Sequence, residues 1–130
     1  MALSNRERIG QMVDLLAPAL EQFIAGVLSP HLSPGSDWAQ LVAAKDARNG
    51  ITGKEYSASD LQVQLRMLTE NITGQIRPGW HPFDGQLGHL ERSFASELRK
   101  VRDDWAHGKA FSDDDAYRAL DTGERMLRAI

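Results

Sequence analysis

The sequence predicts an all-α fold, an antiparallel helical bundle of about five helices, on three observations. Leu and Ala, fifteen of each, outnumber Val plus Ile, eleven together, and Ala and straight-chain residues favour helix over β-branched ones. Apolar residues recur in steps of three and four along most of the chain. The segments that carry this pattern are separated by stretches bearing Pro and Gly, which end helices.

The first helix is marked by Ile9, Met12, Val13, Leu16, Leu20, Phe23, Ile24 and Val27, which form one apolar face. Ser4 with Glu7 three residues on has the form of a capping box at its start. Pro18 removes one helical hydrogen bond and crowds the preceding turn, so a kink is expected there. Residues 28–36, with Pro30, Pro34 and Gly35, read as a loop. A short helix is expected from Asp37 to about Ala47, capped by Ser36 and stopped by Asn49-Gly50. Residues 51–58 are turn-like. A further helix follows, with Ser59 as its cap and Leu61, Leu65, Leu68 and Ile72 on one face.

Gly74, Pro78, Gly79, Pro82 and Gly85 then leave room only for a loop. The strongest pattern in the chain is Leu87, Leu90, Phe94, Leu98, Val101 and Trp105. The last helix is expected to begin at Ser112, with Asp113, Asp114 and Asp115 facing the positive end of its dipole. Its buried face is expected to be Ala116, Leu120, Gly123, Leu127 and Ile130.

At 130 residues, 42% hydrophobic and 25% charged, the chain has the size and balance of one globular domain, expected to span residues 1–130. Its end at Ile130, on an apolar stripe, suggests the N-terminal domain of a longer polypeptide. With no cysteine, disulfide scaffolds, thiolate zinc sites and cysteine nucleophiles are excluded. A net charge of −3 excludes a strongly basic, charge-driven nucleic-acid binder, though not a local basic patch. The start of the chain turns polar within a few residues, and neither a signal peptide nor an apolar run long enough to span a bilayer is read there. The expected setting is cytoplasmic, with no membrane partner.

The residues that could carry chemistry are Arg102-Asp103-Asp104-Trp105-Ala106-His107. On a regular helix, positions five apart point about 140° from one another. Arg102 and His107 can therefore serve one ligand only if the helix ends around His107, and Gly108 supplies the residue that terminates helices. An imidazole at a helix end suits general acid–base work near neutral pH. A guanidinium suits binding of a phosphate and of the charge that grows on it. The same residues have plainer readings. Arg102 can pair with Asp103 or Asp104, His107 can simply cap the helix, and Trp105 can complete the core in place of stacking on a base. Asp113–Asp115 read as a helix start before a metal site. His31, His81 and His89 stand apart in or beside loops, so no metal site is expected. Arg92, Arg99, Lys100, Arg102 and Lys109 give the penultimate helix and its exit a basic excess, partly cancelled by Asp103 and Asp104.

The run from Glu97 to His107, followed by Phe111–Leu120, resembles the HEPN superfamily, and within it the HEPN-like domain named for a yeast nuclear mRNA-surveillance endoribonuclease. Arg8-Ile9-Gly10, Leu15-Leu16 and Leu20 are similar to that group's first helix. The resemblance implies a helical bundle whose signature is Arg, four to six residues, then His. It implies pairing of two protomers so that both signatures line one cleft, and metal-independent cleavage of RNA that leaves a cyclic phosphate and a 5′-hydroxyl, with no cofactor.

Carried over, Arg102 would contact the scissile phosphate and His107 would move protons to or from the 2′-hydroxyl and the leaving oxygen. Asp103 stands where the family has a polar residue, often Asn, that orients the histidine. Arg99, Lys100, Lys109 and Trp105 are the further expected RNA contacts. The resemblance also implies a stress or antiphage context, with an ATPase module in the same or a neighbouring polypeptide. The alternative it leaves open is a non-catalytic dimerisation or RNA- or nucleotide-binding module of a larger ATPase.

Overall fold

The computed structural model describes residues 2–130, and its regular structure there is entirely helical. Helix α1 spans Asn5–Leu28 and is followed by a 3-10 turn, Ser29–His31. Then come α2 (Ala39–Arg48), α3 (Leu61–Thr69), α4 (Thr73–Ile76), α5 (His89–Ala106) and α6 (Asp113–Ala129). Five of the six are the helices read from the sequence. The sixth, α4, is a single turn inside the segment expected to be loop.

Helix starts follow side-chain chemistry. Ser4 Oγ accepts the Glu7 amide at 3.1 Å, and Ser112 Oγ accepts that of Asp115 at 3.1 Å, as their positions predicted. Two caps differ from expectation by one residue. Asp37, not Ser36, receives the Ala39 amide at the start of α2, and Asp60, not Ser59, receives the Gln62 amide at the start of α3. In each case the carboxylate stands nearer the first helical amide. Gly50 stops α2 in the left-handed conformation, with φ of 77°.

Helix α1 runs unbroken through Pro18 and buries Ile9, Met12, Leu16, Leu20, Ile24 and Leu28. It packs on α3, α5 and α6. By length and composition the helical run Asn5–His31 is also apolar enough to cross a bilayer, with mean hydropathy 1.4 over its most apolar stretch, where no such run is read from the sequence. Here its inner stripe is taken up by the core. Helix α3 is nearly enclosed. Gln64 within it is fully buried, donating from Nε2 to the carbonyls of Ala17 and Ala58 at 2.8 Å each, while its Oε1 has no partner.

Two apolar faces depart from the period read in the sequence. Leu90 on α5 is 63% exposed, and Ala95 takes an inward place on that helix. On α6 the inward residues are Ala116, Ala119, Thr122, Gly123 and Met126, which leaves Leu120, Leu127 and Ile130 half-buried. Small residues win that face because α1 comes very close. A Cβ built on Gly123 would lie 2.3 Å from Met12 Sδ. Helices α1 and α6 run side by side in the same direction, with Asn5 Nδ2 donating to Phe111 O at 3.1 Å and to Asp113 Oδ1 at 2.8 Å.

Candidate active site

The end of α5 is built by its main chain. Gly108, with φ of 74°, donates to the Trp105 carbonyl at 3.3 Å, and the Lys109 amide donates to that of Asp104 at 2.9 Å. This pair of bonds is the Schellman stop, in which a residue without Cβ lets the chain reverse its twist. The helix therefore gives out at His107, where a site shared with Arg102 requires it. His107 is exposed, and its Nδ1 lies 2.7 Å from the Asp103 carbonyl. A carbonyl only accepts, so Nδ1 carries the proton, and in the neutral ring Nε2 is left facing outward with a free lone pair.

Arg102 projects from the last turns of α5 into a groove against α1 and the start of α3. The groove holds about 400 Å³ and is walled by Val13, Asp14, Pro18, Glu21, Asp60 and Trp105. Pro18 has a consequence there, since it withholds the amide that the Asp14 carbonyl would otherwise receive. The Arg102 side chain is 26% exposed, with Nη2 3.7 Å from Asp60 Oδ1 and Nη1 3.6 Å from Asp103 Oδ1. Both separations exceed hydrogen-bonding length, so the guanidinium is attracted to its carboxylates without being locked to them. With Asp14, Asp60, Asp103 and Glu21 all close by, the groove's field is acidic.

Asp103 meets both signature side chains. Its carboxylate faces Arg102 and its carbonyl holds His107. The contact that Asp103 makes with the His107 ring is through its main-chain carbonyl, because helix geometry puts carbonyl 103 beside side chain 107.

The other expected RNA contacts are distributed around α5 and engaged within the protein. Trp105 is half-buried against α1, where a Cβ built on Gly10 would lie 3.4 Å from its ring and the Arg6 guanidinium lies 5.5 Å from the ring centroid. Arg99 donates to Thr69 Oγ1 at 3.1 Å and pairs with Glu70 at 2.8 Å. Lys100 and Lys109 both turn to Asp104, at 3.1 and 3.6 Å, and the Lys100 bond holds the Asp104 carboxyl below its usual range. These two lysines border a separate cleft of about 300 Å³ between α5 and α6, lined by Val101 and Phe111. The structure thus groups Arg102 with Trp105, groups Lys100 with Lys109, and sets His107 at the tip of the helix that separates the two groups.

One polar cluster was not read from the sequence. Arg66 makes a two-pronged pair with Asp46, at 2.7 and 2.9 Å, and binds Glu70 at 2.8 Å. Lys45 reaches Glu70 at 2.8 Å, and Tyr56 donates to Asp46. The Arg66 bond holds the Asp46 carboxyl far below its ordinary value, against burial. Burial alone would raise Glu70, yet its bonds to Arg66 and Lys45 bring it down to about 2. The i,i+4 spacing of Arg66 and Glu70 was the legible signal. Among the described residues, no group of three His, Asp or Glu side chains is placed to hold a metal ion.

One family, described as Swt1-like HEPN, has a model that matches residues 11–130. No curated protein and no solved structure matches the chain.

Proposed function

The chain belongs to the Swt1-like HEPN family, and from that premise we propose that it is a metal-independent endoribonuclease domain that acts as a dimer in a stress or antiphage system. The observation that carries this reading is the end of α5. The Schellman stop frees His107 from the helix, the Asp103 carbonyl fixes its proton on Nδ1, and Nε2 is presented outward one turn beyond Arg102.

In the proposed step, Nε2 takes the proton of an RNA 2′-hydroxyl as that oxygen attacks the adjacent phosphorus. The bond to the 5′-oxygen breaks, and the leaving oxygen takes the proton back from the imidazolium so formed, giving a 2′,3′-cyclic phosphate and a 5′-hydroxyl and returning His107 to its neutral form. Arg102 stabilises the charge that gathers on the non-bridging oxygens. One arginine and one histidine make a sparse site, which two-fold pairing would double.

A second reading, a non-catalytic dimerisation or RNA-binding module of a larger ATPase, draws support from the acidic field around Arg102 and the internal pairing of Arg99, Lys100 and Lys109. Single-stranded and structured RNA incubated in EDTA with the protein, R102A and H107A separates the two. Cleavage by the parent alone, with cyclic-phosphate ends, supports the ribonuclease. Equal cleavage by all three, or by none, favours the module.

A further inference from the structure

A cavity of about 290 Å³ opens between the end of α3, the 71–85 segment and the first half of α5. Arg92 on its rim precedes Arg102 by ten residues, about 15 Å along the helix, so the cavity stands apart from the groove of Arg102. Its floor is apolar, made by Met67, Leu68 and Phe83, all buried. Its walls are polar. Thr73 lines the cavity and is only 7% exposed, and its hydroxyl makes no hydrogen bond among the described residues, though it is not sealed from the cavity. A hydroxyl so placed lacks the partner that buried polar groups otherwise find. Asn71, His81 and Ser96 share the wall, and their side chains likewise make no hydrogen bond among the described residues. Gly74 sets two of them in place. A Cβ there would overlap Asn71 Oδ1 and His81 Cε1, so its bare Cα lets both close over that point.

We infer that this cavity binds a small organic oxyanion, a carboxylate or phosphate carried on an apolar body. The balance of donors and acceptors selects that class. Arg92 spends Nη2 on Asp84 and keeps its Nε and Nη1 hydrogens for another partner. With the hydroxyls of Thr73 and Ser96, the amide of Asn71 and the ring N–H of His81, five side chains around the cavity can donate. The charged acceptors are already engaged. Asp84 is paired with Arg92, and Glu70 on the inner wall with Lys45, Arg66 and Arg99. A ligand that completes such a wall brings acceptors, and a carboxylate or phosphate can meet a guanidinium through two parallel bonds. The buried floor takes the apolar body. The volume lies at the small end of the roughly 300–1,000 Å³ typical of ligand pockets, which suits one ring and its charged head. The inference does not rest on the ribonuclease reading, since it uses no residue of the α5 terminus.

Titration of the 130-residue chain with phenyl phosphate, benzoate and inorganic phosphate, followed by calorimetry and amide NMR, decides it beside R92M, T73V, S96W and R102A. The expected result is saturable binding of phenyl phosphate or benzoate, with shifts at Thr73, His81 and Arg92. The tighter of the two names the head. Inorganic phosphate, which leaves the floor empty, should bind roughly tenfold more weakly or worse. R92M should weaken binding about tenfold and T73V about threefold, the difference between a charged and a neutral hydrogen bond. S96W, which puts an indole into the mouth from an exposed position, should abolish binding, and R102A should bind as the parent does. No saturation by either organic probe up to about 10 mM, or equal binding by the parent, R92M and S96W, overturns the inference. So does inorganic phosphate binding as tightly as phenyl phosphate, which would leave the floor no ligand. Loss of binding in R102A alone would move the anion to the groove of Arg102 and overturn it equally.

Discussion

Asp60 Oδ1 lies 3.7 Å from Nη2 of Arg102 and accepts the Gln62 amide at 3.0 Å, so one carboxylate oxygen both caps α3 and faces the signature arginine. The two roles can be parted. Asn caps a helix about as well as Asp, so D60N keeps the start of α3 and removes only the charge. If Arg102 binds the scissile phosphate, D60N should lower the KM for RNA by roughly fivefold, the size of one partly exposed ion pair, with kcat nearly unchanged. An unchanged KM in steady-state cleavage would detach Arg102 from the substrate.

His107 is held by a main-chain carbonyl. Replacing the side chain that follows from the same residue should therefore leave the imidazole in place. Single-turnover cleavage by D103A should stay within about threefold of the parent, whereas H107A should lose on the order of a hundredfold or more, the usual worth of a general acid–base group. A collapse of D103A to the level of H107A would return the orienting role to the carboxylate.

The Arg66 cluster should dominate local stability. R66M strands Asp46, which is buried, together with half-buried Glu70. Loss of one member of such a pair costs about 3 kcal/mol or more, or roughly 10 °C in Tm at this chain length. Calorimetry on R66M, with R66M/D46L as the variant in which the stranded charge is removed, tests it. The double variant should recover part of the loss.

The same cluster sets the acid limit. Both carboxyls titrate below their ordinary values in the folded chain, Glu70 at about 2 against an unperturbed 4.5. Folding therefore gains from their ionisation above the unfolded value and loses that gain as pH falls through the folded one, a loss on the order of 2 kcal/mol for Glu70. Urea midpoints should hold above about pH 5 and fall steadily from there toward pH 2, and the fall should be shallower in E70Q.

Gly123→Ala should drive a methyl group into Met12 and cost about 1–3 kcal/mol by overpacking. In M12A/G123A the two changes should cost less together than the sum of their separate effects, because the new methyl group enters space that Met12 has left. Denaturant unfolding of the four proteins measures the coupling, and strict additivity would mean that the helices do not meet through this pair.

Local chemistry made most of the helices and their ends legible. Ser4, Ser112, Gly50 and Gly108 each act on amides or carbonyls within a few residues, so their sequence positions determine their effect. The one-residue displacement of caps to Asp37 and Asp60 is a choice between adjacent polar side chains that spacing alone does not make. Arg102 and His107 were legible as a pair through the helix stop between them and the family signature. The pairing of Arg99 was harder to read. Arg99 is claimed by Thr69 and Glu70, thirty residues or so away in sequence, and long flexible side chains take whichever opposite charge the fold brings near.

The sequence by itself determined that the chain is helical, that α1 and α6 start at Ser4 and Ser112, and that α5 gives out at His107, because these depend on interactions within one or two turns. Tertiary structure alone decided which way α6 is rolled, since the close passage of Met12 over Gly123 favours small side chains inward over the leucines that periodicity would bury. It alone placed Asp60 against Arg102 and gathered Asp46, Arg66 and Glu70, because electrostatic partners are selected by distance in space, which a linear spacing does not contain.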